Sequence, residues 1–164
     1  MEIKGSHVYP VPVDAVIAVL QDKGTTVDKY ESMGHREVAI LEFTSDDESL
    51  HVVSSRVVDV ELPGFAKKAL KPTNTMIQTD EWRRGDDGSW SGTFDVEVKG
   101  APVRISGTMT LAPAAEGSRH DVLVDLQVKV PIIGGKIASW VGGKDVQRTL
   151  DAEFAFNDAR LAST

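Results

Sequence analysis

Arg56 and Asp80 are the residues whose types and placing come nearest to chemistry. Two-residue alternation through Ser49–Leu62, folded back through Pro63 to Pro72 onto the following strand, sets Arg56 roughly opposite Asp80, with Ser54 and Gln78 on the same inward face. A buried ion pair costs desolvation and often adds no stability over apolar residues, so such a pair points to a role other than stability. Amid apolar walls a few polar groups orient a ligand. The Arg56 guanidinium suits a carboxylate, a phosphate or a carbonyl oxygen. Asp80, or His7 on the first strand, could instead act as an acid–base group in a dry pocket, where a base needs only reach and a tuned pKa. Two plainer arrangements stay open: an ordinary cross-strand salt bridge, or a register different by one residue that turns both side chains outward.

Other chemistries find no pattern. The four histidines, His7, His35, His51 and His120, show no pair four apart, no HExxH and no carboxylate spacing for a metal. His7 is expected to face the interior and the other three the surface. Without cysteine there is no disulfide, thiolate metal site or cysteine nucleophile. Between Gly88 and Gly92 the nucleophile position is Trp90, so that motif fails. The Gly-Gly-Lys triplets at Gly134 and Gly142 lack the phosphate-loop frame and read as helix punctuation. No catalytic residue, metal site or cofactor is assigned. With 18 basic against 25 acidic residues, a net of -7, tight nucleic-acid binding is not expected. Glu2, Lys4, His7 and Asp14 interrupt any leader-like apolar run, and no segment is long enough to span a bilayer; a cytoplasmic protein is expected. Lys67, Lys68 and Lys71, beside Phe65, Ala69 and Leu70, allow Pro63–Pro72 to be a lid making weak contact with anionic headgroups, or simply a surface crossover.

These groups need a scaffold. In 164 residues with 41% hydrophobic content there is room for one domain, 1–164, with a real core. A first strand, Glu2 to Tyr9, ends at Pro10 and Pro12, and Pro12 suits a first helical position. Val13, Val16, Ile17 and Leu20 mark a helix that Gly24 breaks, and a second runs from Thr26 to Met33, stopped by Gly34. His35 to Val130 then alternates. A two-residue turn at Gly100-Ala101 pairs Val96 with Ile105, Phe94 with Gly107 and Trp90 with Leu111. The next hairpin, through Ala112 to Gly117, sets Leu111 against Val122 and Met109 against Val124. The turn at Gly85–Gly88 sets Trp82 beside Trp90 and Gln78 beside Phe94. On the earlier strands Ala39, Leu41, Phe43, Leu50, Val52, Val58, Val60 and Leu62 are expected inward. Beyond Pro131 a single helical stripe follows, Ile133, Ile137, Trp140, Val141, Val146, Leu150, Phe154 and Leu161, of about 30 residues. Gly142-Gly143 within it reads as a kink, an opening beside the sheet, or a tolerated weakness. Trp82, Trp90, Phe94, Met109, Ile137, Trp140 and Val141 are the candidate apolar walls of a ligand site with Arg56, Gln78 and Asp80, unless they are plain core.

The expected class is α+β: a seven-stranded curved antiparallel sheet, two short helices after the first strand, and a long C-terminal helix across its concave face. In this helix-grip order the chain resembles the START and polyketide-cyclase (SRPBCC, Bet v-like) superfamily over essentially its full length. Val8–Val16, Thr79-Asp80-Glu81-Trp82 and Val130–Ile137 look most like an uncharacterised bacterial family within it. The resemblance implies a cavity between sheet and helix for a lipid, sterol, polyketide, isoprenoid or other small apolar or amphipathic molecule. It leaves open carriage of that molecule, a cyclase, dehydratase or isomerase reaction in the same cavity, and a closed core serving as an interaction module.

Overall fold

The computed structural model describes residues 1–164. Its strands are β1 (Glu2–Tyr9), β2 (Arg36–Ser45), β3 (Ser49–Asp59), β4 (Thr73–Arg84), β5 (Trp90–Val98), β6 (Val103–Ala114) and β7 (Gly117–Val128). Helices α1 (Val13–Leu20) and α2 (Lys23–Ser32) follow β1; α3 (Gly134–Val141) and α4 (Gln147–Ala162) are joined by a π-helical turn, Gly142–Val146. The strands form one sheet ordered β1-β7-β6-β5-β4-β3-β2, in which β1 crosses over to pair antiparallel with β7. This is the expected helix-grip class.

The two small helices differ in how the chain starts them. Pro12 caps α1 from outside, and Val13, Val16, Ile17 and Val19 are its buried face. The break expected at Gly24 falls earlier, at Gln21-Asp22, between α1 and α2. The Asp22 side chain accepts a hydrogen bond from the Gly24 amide at 3.0 Å, so the glycine falls in the first turn of a helix beginning at Lys23. Gly34, at φ +84°, ends it as expected.

The C-terminal stripe holds, with one adjustment. Ile137, Val141, Val146, Leu150, Phe154 and Leu161 are all buried, yet the step from Val141 to Val146 is five residues, one more than an α-helical repeat allows. The π turn absorbs the extra residue and keeps both halves facing the sheet. A Cβ on Gly142 would come within 2.8 Å of the Met1 side chain and 3.0 Å of Ile3, so the glycine lets the helix approach β1 closely.

Register is where the sheet departs from expectation. Pairing of β5 with β6 is as read, with Phe94 opposite Gly107 and Trp90 opposite Leu111. On either side it slides by two residues: Trp82 lies opposite Gly92 and Gln78 opposite Val96, while Leu111 faces His120 and Met109 faces Val122. An even slip leaves every side chain on its expected face. In β2 the parity itself changes. Bulges interrupt its ladder between Arg36 and Ala39 and between Ile40 and Glu42, which sets Ile40 opposite buried Ser54. Ala39 and Leu41 therefore point outward, Leu41 at 53% exposure, before Phe43 returns inward opposite Val52.

Candidate functional site

A cavity of about 810 Å³ lies between the concave sheet face and the C-terminal helix. Its walls are Val58, Met76, Val96, Val98, Ile105 and Val124 from the strands and Trp140, Val141, Leu150 and Phe156 from the helix. A volume of this size holds a ligand of several hundred daltons, and a mostly apolar wall with few polar groups is the usual form of such a site.

Among the polar groups of this wall, Arg56 is the most deeply buried cation. It is only 4% exposed, and the guanidinium carbon lies 3.9 Å over the Tyr30 ring. Its Nη2 donates to Gln78 Oε1 at 2.9 Å, and Gln78 Nε2 donates to Asp80 Oδ1 at 2.9 Å. The expected direct pair is thus a relay, because the β3–β4 register sets Arg56 opposite Met76 and Asp80 opposite Val52, with Gln78 between them opposite Ser54. Arg56 Nε and Nη1 and Ser54 Oγ are buried without a protein partner. Burial pushes the Asp80 carboxyl up, against the pull of nearby Lys29.

Behind this group Lys29 of α2 reaches Glu153 of α4 at 3.5 Å, tying the small helices to the long one. Burial works against the Lys29 ammonium, but Glu153, with Tyr30 and Asp80, outweighs it and raises its pKa above the ordinary lysine value. His35 stacks on Tyr30 with ring centres 5.7 Å apart, and burial, aided by Arg56, lowers it to about 4.

Of the residues singled out in the sequence, Arg56, Gln78, Phe94, Met109, Trp140 and Val141 line the cavity. Asp80 does not; it backs the wall through Gln78. Trp82 and Trp90 are buried core at the end of the sheet where β7 begins, and Ile137 is fully buried core. His7 stacks on Phe154 at 5.2 Å with Nε2 2.7 Å from Asp158, outside the cavity lining it was expected to join. His120, expected at the surface, is 6% exposed and lines the cavity. Its parity with Val122, Val124 and Leu126 was the signal that places it inward. Glu153, Asp145 and His35 also line the cavity and carried no signal beyond their place on a helix or a strand start. Leu70 and Lys71 contribute to the wall from Pro63–Pro72, while Lys67 and Lys68 point to solvent. No group of three or more His, Cys, Asp or Glu side chains is disposed to hold a metal ion, and no helix is long and apolar enough to cross a membrane.

A family model described as a protein of unknown function, DUF2505, matches residues 4–161. Uncharacterized protein Mb0491c of Mycobacterium bovis and uncharacterized protein Rv0481c of Mycobacterium tuberculosis are each 29% identical over 102 residues, which is 60% of this chain and 59% of theirs. The match thus spans less than two thirds of these relatives' length. Among solved structures, TTHA0849 of Thermus thermophilus has a TM-score of 0.67 at 16% identity, over 99% of this chain and 98% of that one. Ms6760 of Mycobacterium smegmatis has 0.61 at 10% identity, over 99% and 91%. Ara h 8.0201 has 0.55 at 13% identity, over 100% and 99%. At these identities the likeness is one of fold, a helix grip of Bet v 1 type.

Proposed function

The chain belongs to the DUF2505 family, and we propose that residues 1–164 act as one binding or carrier domain of the START and polyketide-cyclase superfamily for a small, largely apolar molecule. The observation that carries this reading is the cavity itself: about 810 Å³ with mostly apolar walls and one buried arginine in which two donor nitrogens, Nε and Nη1, are without a protein partner. Arg56 is the proposed orienting contact, with Gln78 beside it, for a carboxylate, phosphate or carbonyl oxygen on the ligand. Phe94, Met109, Trp140 and Val141 are the proposed apolar contacts. Carriage is preferred to catalysis because Asp80, the carboxyl considered for acid–base work, is engaged by Gln78 behind the wall.

The same reading gives Pro63–Pro72 the role of rim. Lys136 of α3 lies 4.3 Å over the Phe65 ring, joining the loop to the start of the C-terminal helix. Close by in sequence to Lys136, Ile132 is fully exposed in the left-handed backbone region, φ +69°, an unusual state for a β-branched residue. An exposed isoleucine together with Lys67, Lys68 and Lys71 supports weak contact with an anionic membrane surface.

Native mass spectrometry after exposure to a total bacterial lipid extract tests the proposal. A reproducible mass excess that denaturing extraction releases as one chemical class is the expected result. Arg56→Ala is expected to lose most of that excess while keeping its circular dichroism. A bare mass from folded wild-type protein after the same exposure would refute the carrier reading.

A further inference from the structure

Three side chains from distant parts of the chain meet behind one part of the cavity wall: Tyr9 at the end of β1, His120 near the start of β7 and Asn157 in α4. Asn157 Nδ2 donates to the Tyr9 hydroxyl oxygen at 3.0 Å, and that oxygen lies 3.2 Å from His120 Nδ1. All three are buried, and His120 alone of them lines the cavity.

The protons in this chain can be counted. A phenol has one proton to give. With its oxygen accepting from Asn157, the Tyr9 hydroxyl finds an acceptor for its own proton in His120 Nδ1, and this arrangement assigns that nitrogen as bare. Burial pushes Tyr9 up and lowers His120 to about 4, so at neutral pH the phenol keeps its proton and the ring is uncharged. The single ring proton then sits on Nε2, a buried atom with no partner in the protein. A buried donor left unpaired is costly, and the neighbouring groups are aromatic: Trp82 with ring centres 5.8 Å away and Phe154 edge-on at 5.3 Å.

We propose that His120 Nε2–H is a fixed, neutral hydrogen-bond donor for an uncharged carbonyl oxygen of the ligand, with Tyr9 and Asn157 as the positioning residues that hold its tautomer. The assignment rests on the ligand-binding reading above and adds a chemical class, a largely apolar carbonyl compound. A neutral donor flanked by rings rewards an uncharged acceptor. An anionic group is better served by Arg56.

Two measurements on the full chain test it. Nitrogen NMR of histidine-labelled protein at pH 7 is expected to show His120 with Nε2 protonated and Nδ1 bare, and Tyr9→Phe to relax this toward a tautomer mixture. Calorimetric titration with fluorene and 9-fluorenone, near-identical in shape but for the carbonyl oxygen, is expected to give about tenfold tighter binding of the ketone. That preference should vanish in His120→Phe with fluorene affinity retained; Tyr9→Phe, which removes one hydroxyl, should reduce it and serves as the test if His120→Phe does not fold. An Nδ1-protonated ring, equal affinity for the two probes, or a preference unchanged in the variants would overturn the assignment. Fluorene binding without a ketone preference would sink this assignment alone, whereas failure of both probes to bind would sink it together with the ligand-binding reading.

Discussion

Acid should destabilise this protein through His120, and the amount follows from its burial. In the unfolded chain the imidazole takes up a proton near pH 6.5; in the fold, burial delays protonation to about pH 4. The unfolded state therefore binds the proton first, so this contribution to stability is fully present above about 6.5 and is lost as pH falls toward 4. At about 1.4 kcal/mol per pH unit, the gap between 6.5 and about 4 amounts to about 3 kcal/mol. The perturbation is His120→Gln, which keeps an amide able to accept from Tyr9 and removes the titrating group. Urea unfolding, followed by tryptophan fluorescence at several values between pH 7 and pH 4, gives the stability of both proteins. Surface carboxylates and His35 titrate alike in each, so the difference between the two pH curves isolates His120. Wild type should lose about 3 kcal/mol more than the variant over this interval. Parallel curves would refute the reasoning, because they would mean that the ring is protonated in the fold as readily as out of it.

Glu153→Gln leaves the Lys29 ammonium, 14% exposed, without its carboxylate, and should cost about 3 kcal/mol or more in denaturant unfolding. Adding Lys29→Met should recover most of that loss; no recovery would show that the ion pair is not its source. Gly107→Ala should cost between about 1 and 3 kcal/mol, because the new methyl overlaps the Leu123 carbonyl and meets the Phe94 ring at 2.7 Å. A melting temperature equal to wild type would contradict the register that sets Phe94 across from Gly107.

The architecture was legible because alternation and the helical stripe both report which face is buried, and neither depends on knowing partners. Phe94 opposite Gly107 could be read directly, since a short turn at Gly100 fixes the register there. The other hairpins slid by two residues because parity cannot tell a register from its neighbour two steps away; turn geometry decides, and β6 and β7 run on to Ala114 opposite Gly117. The slip between β6 and β7 set His120 opposite Leu111, and a displacement of four residues between β3 and β4 made Arg56 and Asp80 the ends of a relay. The β2 bulges escaped notice because the sequence marks neither Glu37 nor Leu41 as an extra residue. Whether an inward residue lines a cavity or fills core depends on how far the helix stands from the sheet. Periodicity does not contain that distance, which is why Trp82, Trp90 and Ile137 were grouped with Phe94 and Trp140.

The π turn at Gly142–Val146 gives the chain a way to reshape its cavity without substituting any residue that lines it. Every cavity contact from α4, Glu153 and Phe156 among them, lies downstream of that turn. Winding that turn as regular α-helix, with no residue removed, would turn the remainder of the helix by about 100° relative to α3. The segment would keep its composition while presenting a different set of side chains inward. The winding of one turn, rather than mutation of the lining, therefore sets which side chains of α4 face the cavity.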